Sequence, residues 1–211
     1  MKEVIIIGAG GHSSVIIEII EAMIDSGHDL KIKGLLDDNE KVSEFMGYKI
    51  IDKIENAMLY NDENIEYVIA IGNNQTRKKI YSKFKNLKYC TAIHPSAIVS
   101  KNSVIKEGTV VMARAVINAN SEVGSHVIIN TGAIIEHDNR IGDFCHISPG
   151  ATLCGGVTIG EETHIGANST IIQYKSVGSK TIIGAGATVI SDIKSNVVAI
   201  GCPAKQKQQG L

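Results

Sequence analysis

The sequence predicts a small parallel α/β domain over residues 1–92, followed by a parallel β-helix over residues 93–211. In the first part, apolar strand-like runs alternate with helical patterns, and polar loops follow the strands. In the second part, every sixth residue is aliphatic, a period that fits stacked coils and neither a helix nor a single strand. Aromatic residues are only 4% of the chain and Trp is absent, which favours a core of Ile and Val layers.

Five elements are predicted in the first part. The strands are Glu3–Ile7, Lys31–Leu36 and Glu66–Ile71, and the helices are Ser14–Ile24 and Thr76–Phe84. Their alternation is typical of a parallel sheet, whose ligands bind at the loops that follow the strands. The second helix is expected to carry its Lys and Arg side chains on its outer face.

The loop at residues 8–13 is close to a dinucleotide-binding fingerprint and departs from it at one position. Gly8 and Gly10 match, whereas Ser13 stands where the third glycine would be. Such a loop lets backbone N–H groups and a helix N-terminus approach a phosphate, but a plain tight turn into a helix explains it equally well. No second α/β half follows to hold a nicotinamide, so a redox enzyme is disfavoured.

The loop after the second predicted strand contains Asp37 and Asp38. Their carboxylates could accept hydrogen bonds from a ribose or a base, and a solvated turn is an equal alternative.

The six-residue period predicts the geometry of the second part. Three hexapeptides make one turn, so residues eighteen apart stack, and neighbouring turns about 4.8 Å apart give a prism roughly 25 Å tall. Small residues stand two positions before most of the aliphatic ones and leave room for tight corners. The aliphatic series is Val99, Ile105, Val111, Ile117, Val123, Ile129, Ile135, Ile141, Ile147, Leu153, Ile159, Ile165, Ile171, Val177, Ile183 and Val189.

Charge, cysteine content and hydropathy exclude several classes of protein. A formal net charge of −1 favours neither a nucleic-acid partner nor a membrane surface. The four cysteines lack metal-site spacing and are predicted to be buried, as in the reducing cytosol. The apolar start is predicted to be a first strand, not a signal peptide, and no segment reaches membrane-spanning length. The sequence therefore predicts a cytoplasmic protein.

Polar residues that interrupt the repeat are the candidates for chemistry, and the histidines stand out. His137 lies between Glu136 and Asp138, and such a carboxylate neighbour can orient a histidine base, although acidic neighbours of surface histidines are also common. His146 and His164 are eighteen residues apart and should stack, but the spacing makes a metal site a minority interpretation. His126 and His164 are expected to be solvated or to lie on a side wall.

Several motifs together resemble the left-handed β-helix acyltransferases. They are the six-residue period, the closing segment 201–205, and the spacing of Asn130, Glu136-His137-Asp138 and His146. The segments 8–12, 36–38 and 69–81 are similar to the nucleotide-sugar acetyltransferase branch, and most of all to the enzymes that act on UDP-linked 4-amino sugars in the bacillosamine pathway. Sialic acid O-acetyltransferase-like proteins share this architecture.

The resemblance implies a Rossmann-like domain before a left-handed β-helix, a homotrimer, acetyl-CoA as donor and no metal. It implies that His137 is the general base, oriented by Asp138 or Glu136, with Asn130 completing the catalytic set. The residues implied for acetyl-CoA are His146, Gly155, Ala167 and Gly184. Those implied for the nucleotide-sugar are Gly10, Gly11, His12, Asp37, Asp38 and Asn73.

Three functions are compatible with this sequence. The first is N-acetylation of the 4-amino group of a UDP-linked amino-deoxy sugar by direct attack, as a step of glycan biosynthesis. The second is O-acetylation of a sugar or sialic acid, which needs the same base and donor. The third is a non-catalytic hexapeptide scaffold, which an intact set of Asn130, His137 and His146 disfavours. Cys145 stands at a small-residue position and is interpreted as packing, not as a nucleophile.

Overall fold

The computed structural model describes residues 1–208. The chain divides into two compact units, Met1–Pro95 and Ser96–Leu211. The division lies three residues beyond the predicted position between residues 92 and 93.

The first unit contains a five-stranded sheet in the order β3-β4-β2-β1-β5, parallel apart from β3. Its core lies around the central strands, with Ile5, Ile7, Leu36 and Tyr67 fully buried. The elements are β1 (Lys2–Ile7), α1 (Gly11–Asp25), β2 (Leu30–Leu36), β3 (Glu44–Phe45), β4 (Tyr48–Asp52), a 3-10 helix (Ile54–Tyr60), β5 (Ile65–Ile69), α2 (Asn74–Lys83) and β6 (Ala92–Ile93).

The five elements predicted for this unit are present, but β3, β4 and the 3-10 helix were not predicted. The side chains of β4 are only half-buried or exposed, so its sequence lacks the apolar run that marks a buried strand.

One prediction about α2 was wrong. Arg77 was expected on the outer face, yet it is only 1% exposed. Its guanidinium donates to the carbonyls of Ile71 and Gly72, at 2.9 and 3.2 Å, and to Oδ1 of Asn74 at 2.9 Å. The arginine therefore holds the loop that enters the helix, since a buried guanidinium requires several acceptors.

The second unit is a parallel β-helix with three walls, whose strands up to Thr188–Val189 pair residues eighteen apart. At the end of the third wall, Ile182 pairs with Val198, and Val197–Ile200 pairs antiparallel with Lys205–Gln208. The first wall contains β7 (Ile98–Val99), β10 (Val116–Ile117), β13 (Ile134–Ile135), β16 (Thr152–Leu153), β19 (Thr170–Ile171) and β22 (Thr188–Val189). The second wall contains β8 (Val104–Ile105), β11 (Glu122–Val123), β14 (Arg140–Ile141), β17 (Thr158–Ile159) and β20 (Ser176–Val177). The third wall contains β9 (Val110–Val111), β12 (Ile128–Ile129), β15 (His146–Ile147), β18 (His164–Ile165), β21 (Ile182–Ile183), β23 (Val197–Ile200) and β24 (Lys205–Gln208).

The aliphatic series fills the axis as predicted. From Val111 to Val189 its members are all at most 4% exposed, whereas Val99 and Ile105 in the first turn are half-buried. The corners are formed three residues after each aliphatic position, where the backbone has a positive φ at every sixth residue from Gly108 to Gly186. The predicted small residues follow directly and lie buried inside the corner.

Side chains at the corners lie along the stack, and this overturns the expectation for His126. It is fully buried, its ring is stacked on Phe144 at 5.3 Å between centroids, and it covers Gly108. A corner residue can lie against the turn below or above it, so an outward position on the repeat need not be solvated.

The prediction for the cysteines holds for two of the four. Cys90 and Cys145 are buried, whereas Cys154 is half-buried and Cys202 is exposed. Within residues 1–208, no helix is both long and apolar enough to cross a bilayer.

Candidate active site

His137 and Asp138 form a hydrogen-bonded pair at the corner between the first and second walls. Nδ1 of the imidazole lies 2.7 Å from Oδ2 of Asp138. Since a carboxylate accepts at neutral pH, Nδ1 carries the proton and Nε2 carries the lone pair. The pair thus has the tautomer that a general base needs, with about half of each side chain exposed.

Asp138 is held in place by its backbone and by a second donor. Its φ of +60° belongs to the corner, and Asn120, one turn below, donates to its Oδ1 at 3.2 Å. The hydrogen bonds from His137 and Asn120 hold the pKa of the Asp138 carboxyl below its usual range. The carboxylate is therefore ionised and available to the imidazole near neutral pH.

Glu136, the other candidate partner, bonds to the backbone of His137 and not to its imidazole. Its Oε2 accepts the backbone N–H of His137 at 3.3 Å. The geometry favours Asp138 as the residue that orients the base.

Gly155 explains how the imidazole fits. A Cβ at this position would lie 2.6 Å from Cε1 and 2.7 Å from Nε2 of His137, distances that real contacts do not show. The imidazole therefore lies over the backbone one turn above it, and Gly155 is the residue that leaves the space.

Asn130 and His146 form a second pair on the third wall. The amide of Asn130 is oriented because its Oδ1 accepts the backbone N–H of Thr131 at 2.8 Å. Its Nδ2 therefore donates to Nε2 of His146 at 3.0 Å, which makes that nitrogen an acceptor and places the proton on Nδ1. His164, the next residue in the column, lies 4.8 Å from His146 between ring centroids and has its Nε2 3.0 Å from Oγ of Ser148.

The two pairs do not meet within one chain. His137 follows the first wall and precedes the second, whereas Asn130 and His146 extend strands of the third wall. In a three-walled prism, the third wall does not border that corner. A pocket that includes both pairs therefore requires two copies of the chain.

Ala167 and Gly184, which were predicted on the coenzyme groove, lie further up the stack. Gly184 continues the column of Asn130 and Ser148, and a Cβ there would lie 2.7 Å from Cγ2 of Ile200. Packing against Ile200 explains this glycine, so a role in coenzyme binding stays a prediction, as it does for Ala167.

In the first unit, the predicted loops lie at one edge of the sheet, where the parallel strands end. Asp37 links two of them, because its Oδ2 accepts the backbone N–H of Ala9 at 2.7 Å and its Oδ1 that of Asn39 at 2.8 Å. Both of its oxygens thus have backbone donors, which indicates a structural role. Asn73 likewise accepts the backbone N–H of Thr76 at 2.9 Å and caps α2.

The glycines of the first loop differ from one another. A Cβ on Gly8 would lie 2.8 Å from Cδ1 of Ile71, and its φ is +110°, so the fold requires this glycine. A Cβ on Gly10 or Gly11 would meet no protein atom within 4 Å. Ser13, in place of the third glycine of the fingerprint, is buried and donates to the carbonyl of Ala70 at 3.3 Å.

His12 lies behind this loop in a mostly buried position. Burial, together with the nearby charge of Arg77, lowers the pKa of His12 to about 4. The imidazole is therefore neutral at physiological pH.

Asp38 borders a cleft of about 510 Å³ within the first unit. Its Oδ1 accepts the backbone N–H of Ile54 at 3.0 Å. The cleft has an apolar part, three cationic side chains and two carboxylates, those of Asp38 and Glu55. The apolar part is Ile54, Ile71, Ile80 and Phe84, and the cations are Lys53, Lys79 and Lys83.

Arg77 and these lysines were not identified as site residues from the sequence. A Lys- and Arg-bearing helix is ordinarily a solvated face, and nothing in the local pattern separates a buried arginine from an exposed one. Within the described part of the chain, no three His, Cys, Asp or Glu side chains are grouped to hold a metal ion.

Comparisons with known proteins agree with this architecture. Residues 3–84 match the family described as the PglD N-terminal domain, and residues 140–173 match the bacterial transferase hexapeptide family. Among curated proteins, the UDP-N-acetylbacillosamine N-acetyltransferase of Bacillus subtilis is 42% identical over 113 residues, which cover 50% of this chain and 49% of that protein. The match thus spans about half the length of that relative.

Several solved structures match nearly the full chain, and two of them illustrate the likeness. A histidine variant of perosamine N-acetyltransferase from Caulobacter crescentus, in complex with CoA and GDP-perosamine, is 36% identical with a TM-score of 0.89, over 99% of this chain and 98% of that one. The acetyltransferase domain of PglB from Neisseria gonorrhoeae, in complex with acetyl coenzyme A, is 36% identical with a TM-score of 0.91, over 98% and 99%.

The chain therefore belongs to the family of hexapeptide-repeat sugar N-acetyltransferases that use acetyl-CoA. The predicted family and fold class are confirmed: a Rossmann-like domain is followed by a left-handed parallel β-helix.

Proposed function

We propose that this protein transfers the acetyl group of acetyl-CoA to the 4-amino group of a UDP-linked amino-deoxy sugar. The observation that carries the proposal is the His137–Asp138 pair, in which Asp138 accepts from Nδ1 and leaves the lone pair of the neutral imidazole on Nε2. Similarity to the Bacillus subtilis relative supports the UDP-linked acceptor, and similarity to the perosamine enzyme supports an amino sugar.

The proposed mechanism is direct attack. The sugar amine forms a bond to the carbonyl carbon of the thioester while Nε2 of His137 takes its proton, and Asp138 stabilises the imidazolium. The C–S bond of the tetrahedral intermediate then breaks, and the proton passes to the departing thiolate. Positioned base catalysis of this kind is worth roughly 10²- to 10⁴-fold in rate.

The nucleotide is assigned to the first unit. Gly10 and Gly11 present open backbone at the N-terminus of α1, which suits a phosphate. The cleft beside Asp38 combines apolar side chains with three lysines and two carboxylates, so it offers a nucleobase an apolar surface and both hydrogen-bond donors and acceptors. Asp37 and Asn73 support the loops through backbone hydrogen bonds, so we assign them positioning roles.

The active form is proposed to be a homotrimer. One copy supplies His137 and Asp138, and its neighbour supplies Asn130 and His146 from the third wall, because one chain cannot bring the two pairs together. Exposed aliphatic side chains on the walls, Ile98 at 65% and Ile182 at 43%, also favour side-by-side association. We place the reaction in the cytoplasm, where acetyl-CoA is available.

Mass spectrometry of the reaction with acetyl-CoA and a UDP-linked 4-amino sugar tests the proposed activity. The expected result is one acetyl group on the sugar nitrogen, accompanied by one equivalent of free thiol. Matched acceptors that carry a 4-hydroxyl group, or that lack the nucleotide, should not react. An acetylated hydroxyl would favour the O-acetyltransferase instead, and no product with any nucleotide-sugar would contradict the proposal.

A further inference from the structure

Tyr174 lies at the same corner of the β-helix as the His137–Asp138 pair. It is two turns above Asp138, in the column that runs through Asn120, Asp138 and Gly156. Its φ is +58° and the residue is 73% exposed. The positive φ is that of the other corner residues, and the exposed fraction leaves most of the aromatic side chain open to a ligand.

The tyrosine ring and the imidazole lie over neighbouring glycines. A Cβ on Gly156 would lie 2.6 Å from Cδ1 and 2.8 Å from Cε1 of Tyr174, just as a Cβ on Gly155 would lie 2.6 Å from Cε1 of His137. The α-carbons of adjacent residues are about 3.8 Å apart. His137 thus lies against Gly155 from the turn below, and Tyr174 lies over Gly156 from the turn above, so the two rings contact adjacent residues of one turn.

We propose that Tyr174 binds the acceptor sugar and sets its orientation beside the base. The inference rests on the proposed function, since it assumes that an amino sugar reaches Nε2 of His137. It assigns a substrate-binding role to a residue outside the hydrogen-bonded pairs.

The geometry favours the acceptor over the donor. The reacting amine must lie about 2.6–3.2 Å from Nε2, and the rest of its sugar ring is then within a few ångströms of Gly155 and Gly156. A flat, rigid ring with a hydroxyl group suits a sugar, because the C–H face of the sugar can lie on the aromatic ring while a sugar hydroxyl bonds to the phenol. The pantetheine of the donor is a flexible chain without such a face, and the flat adenine of the donor lies at the other end of the molecule from the thioester.

Tyr174→Asn is the discriminating variant, because asparagine adopts positive φ readily and replaces the phenol ring with a small amide. The expected result is a rise of about tenfold in KM for the nucleotide-sugar, about 1.4 kcal/mol, with KM for acetyl-CoA unchanged. Tyr174→Phe should show a smaller rise, since it retains the ring. Arg114→Asn, at another exposed corner with φ of +60°, is the matched control and should leave both constants unchanged.

Thermal unfolding of each variant separates binding from stability. Tyr174→Asn should have a melting temperature close to that of the wild type, because the ring is mostly exposed and asparagine occupies the same kind of corner at Asn120 and Asn168. An active wild type whose Tyr174→Asn variant has unchanged constants, or a raised KM for acetyl-CoA alone, would overturn this inference and leave the proposed function intact. A wild type without turnover on any nucleotide-linked amino sugar would overturn both.

Discussion

The two units of this protein place their polar side chains by different rules. In the β-helix, the candidate functional side chains are polar residues within a six-residue repeat. Their wall or corner follows from the period of six, and their neighbours in the stack are eighteen residues away. In the α/β unit, each loop is unique, and single hydrogen bonds such as that from Ala9 to Asp37 decide how the loops lie. The comparison teaches that a repeat makes the location of a side chain predictable, whereas the path of a loop depends on contacts between distant segments.

Replacing the base should produce the largest effect. His137→Ala is expected to lower kcat by at least about 10²-fold, because no other group takes the amine proton at the corner. Steady-state kinetics between pH 6 and 9 measures this. His28→Ala, an exposed histidine of the first unit, is the control. Wild-type turnover of the His137 variant across this range would show that His137 is not the general base. The β-helix repeat would then not have located the catalytic residue.

Next in size is the dependence of the β-helix on its aliphatic axis. Ile147→Ala should cost about 2–5 kcal/mol of unfolding free energy, because it opens a cavity at a fully buried position. Ile105→Ala, at the half-buried first turn, should cost less. Denaturant unfolding of both variants measures the difference. Equal losses of unfolding free energy in the two variants would mean that burial on the axis does not decide how much each aliphatic side chain stabilises the β-helix.

Acid should affect the α/β unit through His12. Its pKa is lowered to about 4 in the folded protein, so below about pH 6.5 the unfolded chain binds a proton that the folded chain does not. Stability should therefore fall between pH 6.5 and 4, by on the order of 2 kcal/mol by pH 5. His12→Gln should lose less stability over the same range, as measured by chemical unfolding at pH 7.5 and 5. An identical loss in both proteins would exclude His12 as the cause.

Substitution of the two aspartates of the α/β unit should have different effects, on substrate binding for Asp38 and on stability for Asp37. Asp38→Ala is expected to raise KM for the nucleotide-sugar about tenfold with little change for acetyl-CoA, since the carboxylate borders the cleft. Asp37→Ala should also lower the melting temperature, because Ala9 and Asn39 lose their acceptor. Thermal unfolding and kinetics with each substrate varied measure both effects. If Asp37→Ala leaves the melting temperature unchanged, its carboxylate does not support the loops.

The sequence predicts the β-helix better than it predicts the α/β unit. The walls, the buried axis and the stacking of Gly155 over His137 follow from the repeat. The burial of His126 does not, because the pattern gives the position of a residue and not the direction its ring takes along the corner. Arg77 was misplaced because its acceptors, the carbonyls of Ile71 and Gly72, come from the preceding loop, whose path no local pattern specifies.

The proposed division of the active site between two copies of the chain can be tested by one direct measurement. His137→Ala is co-expressed with an Asn130→Ala/His146→Ala double variant, each with its own tag, and assemblies that carry both tags are purified. A mixed trimer contains two copies of one variant and one copy of the other. In a closed ring of either kind, one of the three interfaces pairs an intact His137 with an intact Asn130 and His146. The expected activity is about one third of wild type, although each parent alone is nearly inactive. Mixed assemblies no more active than their parents, or a chain that remains monomeric, would contradict a site shared between subunits.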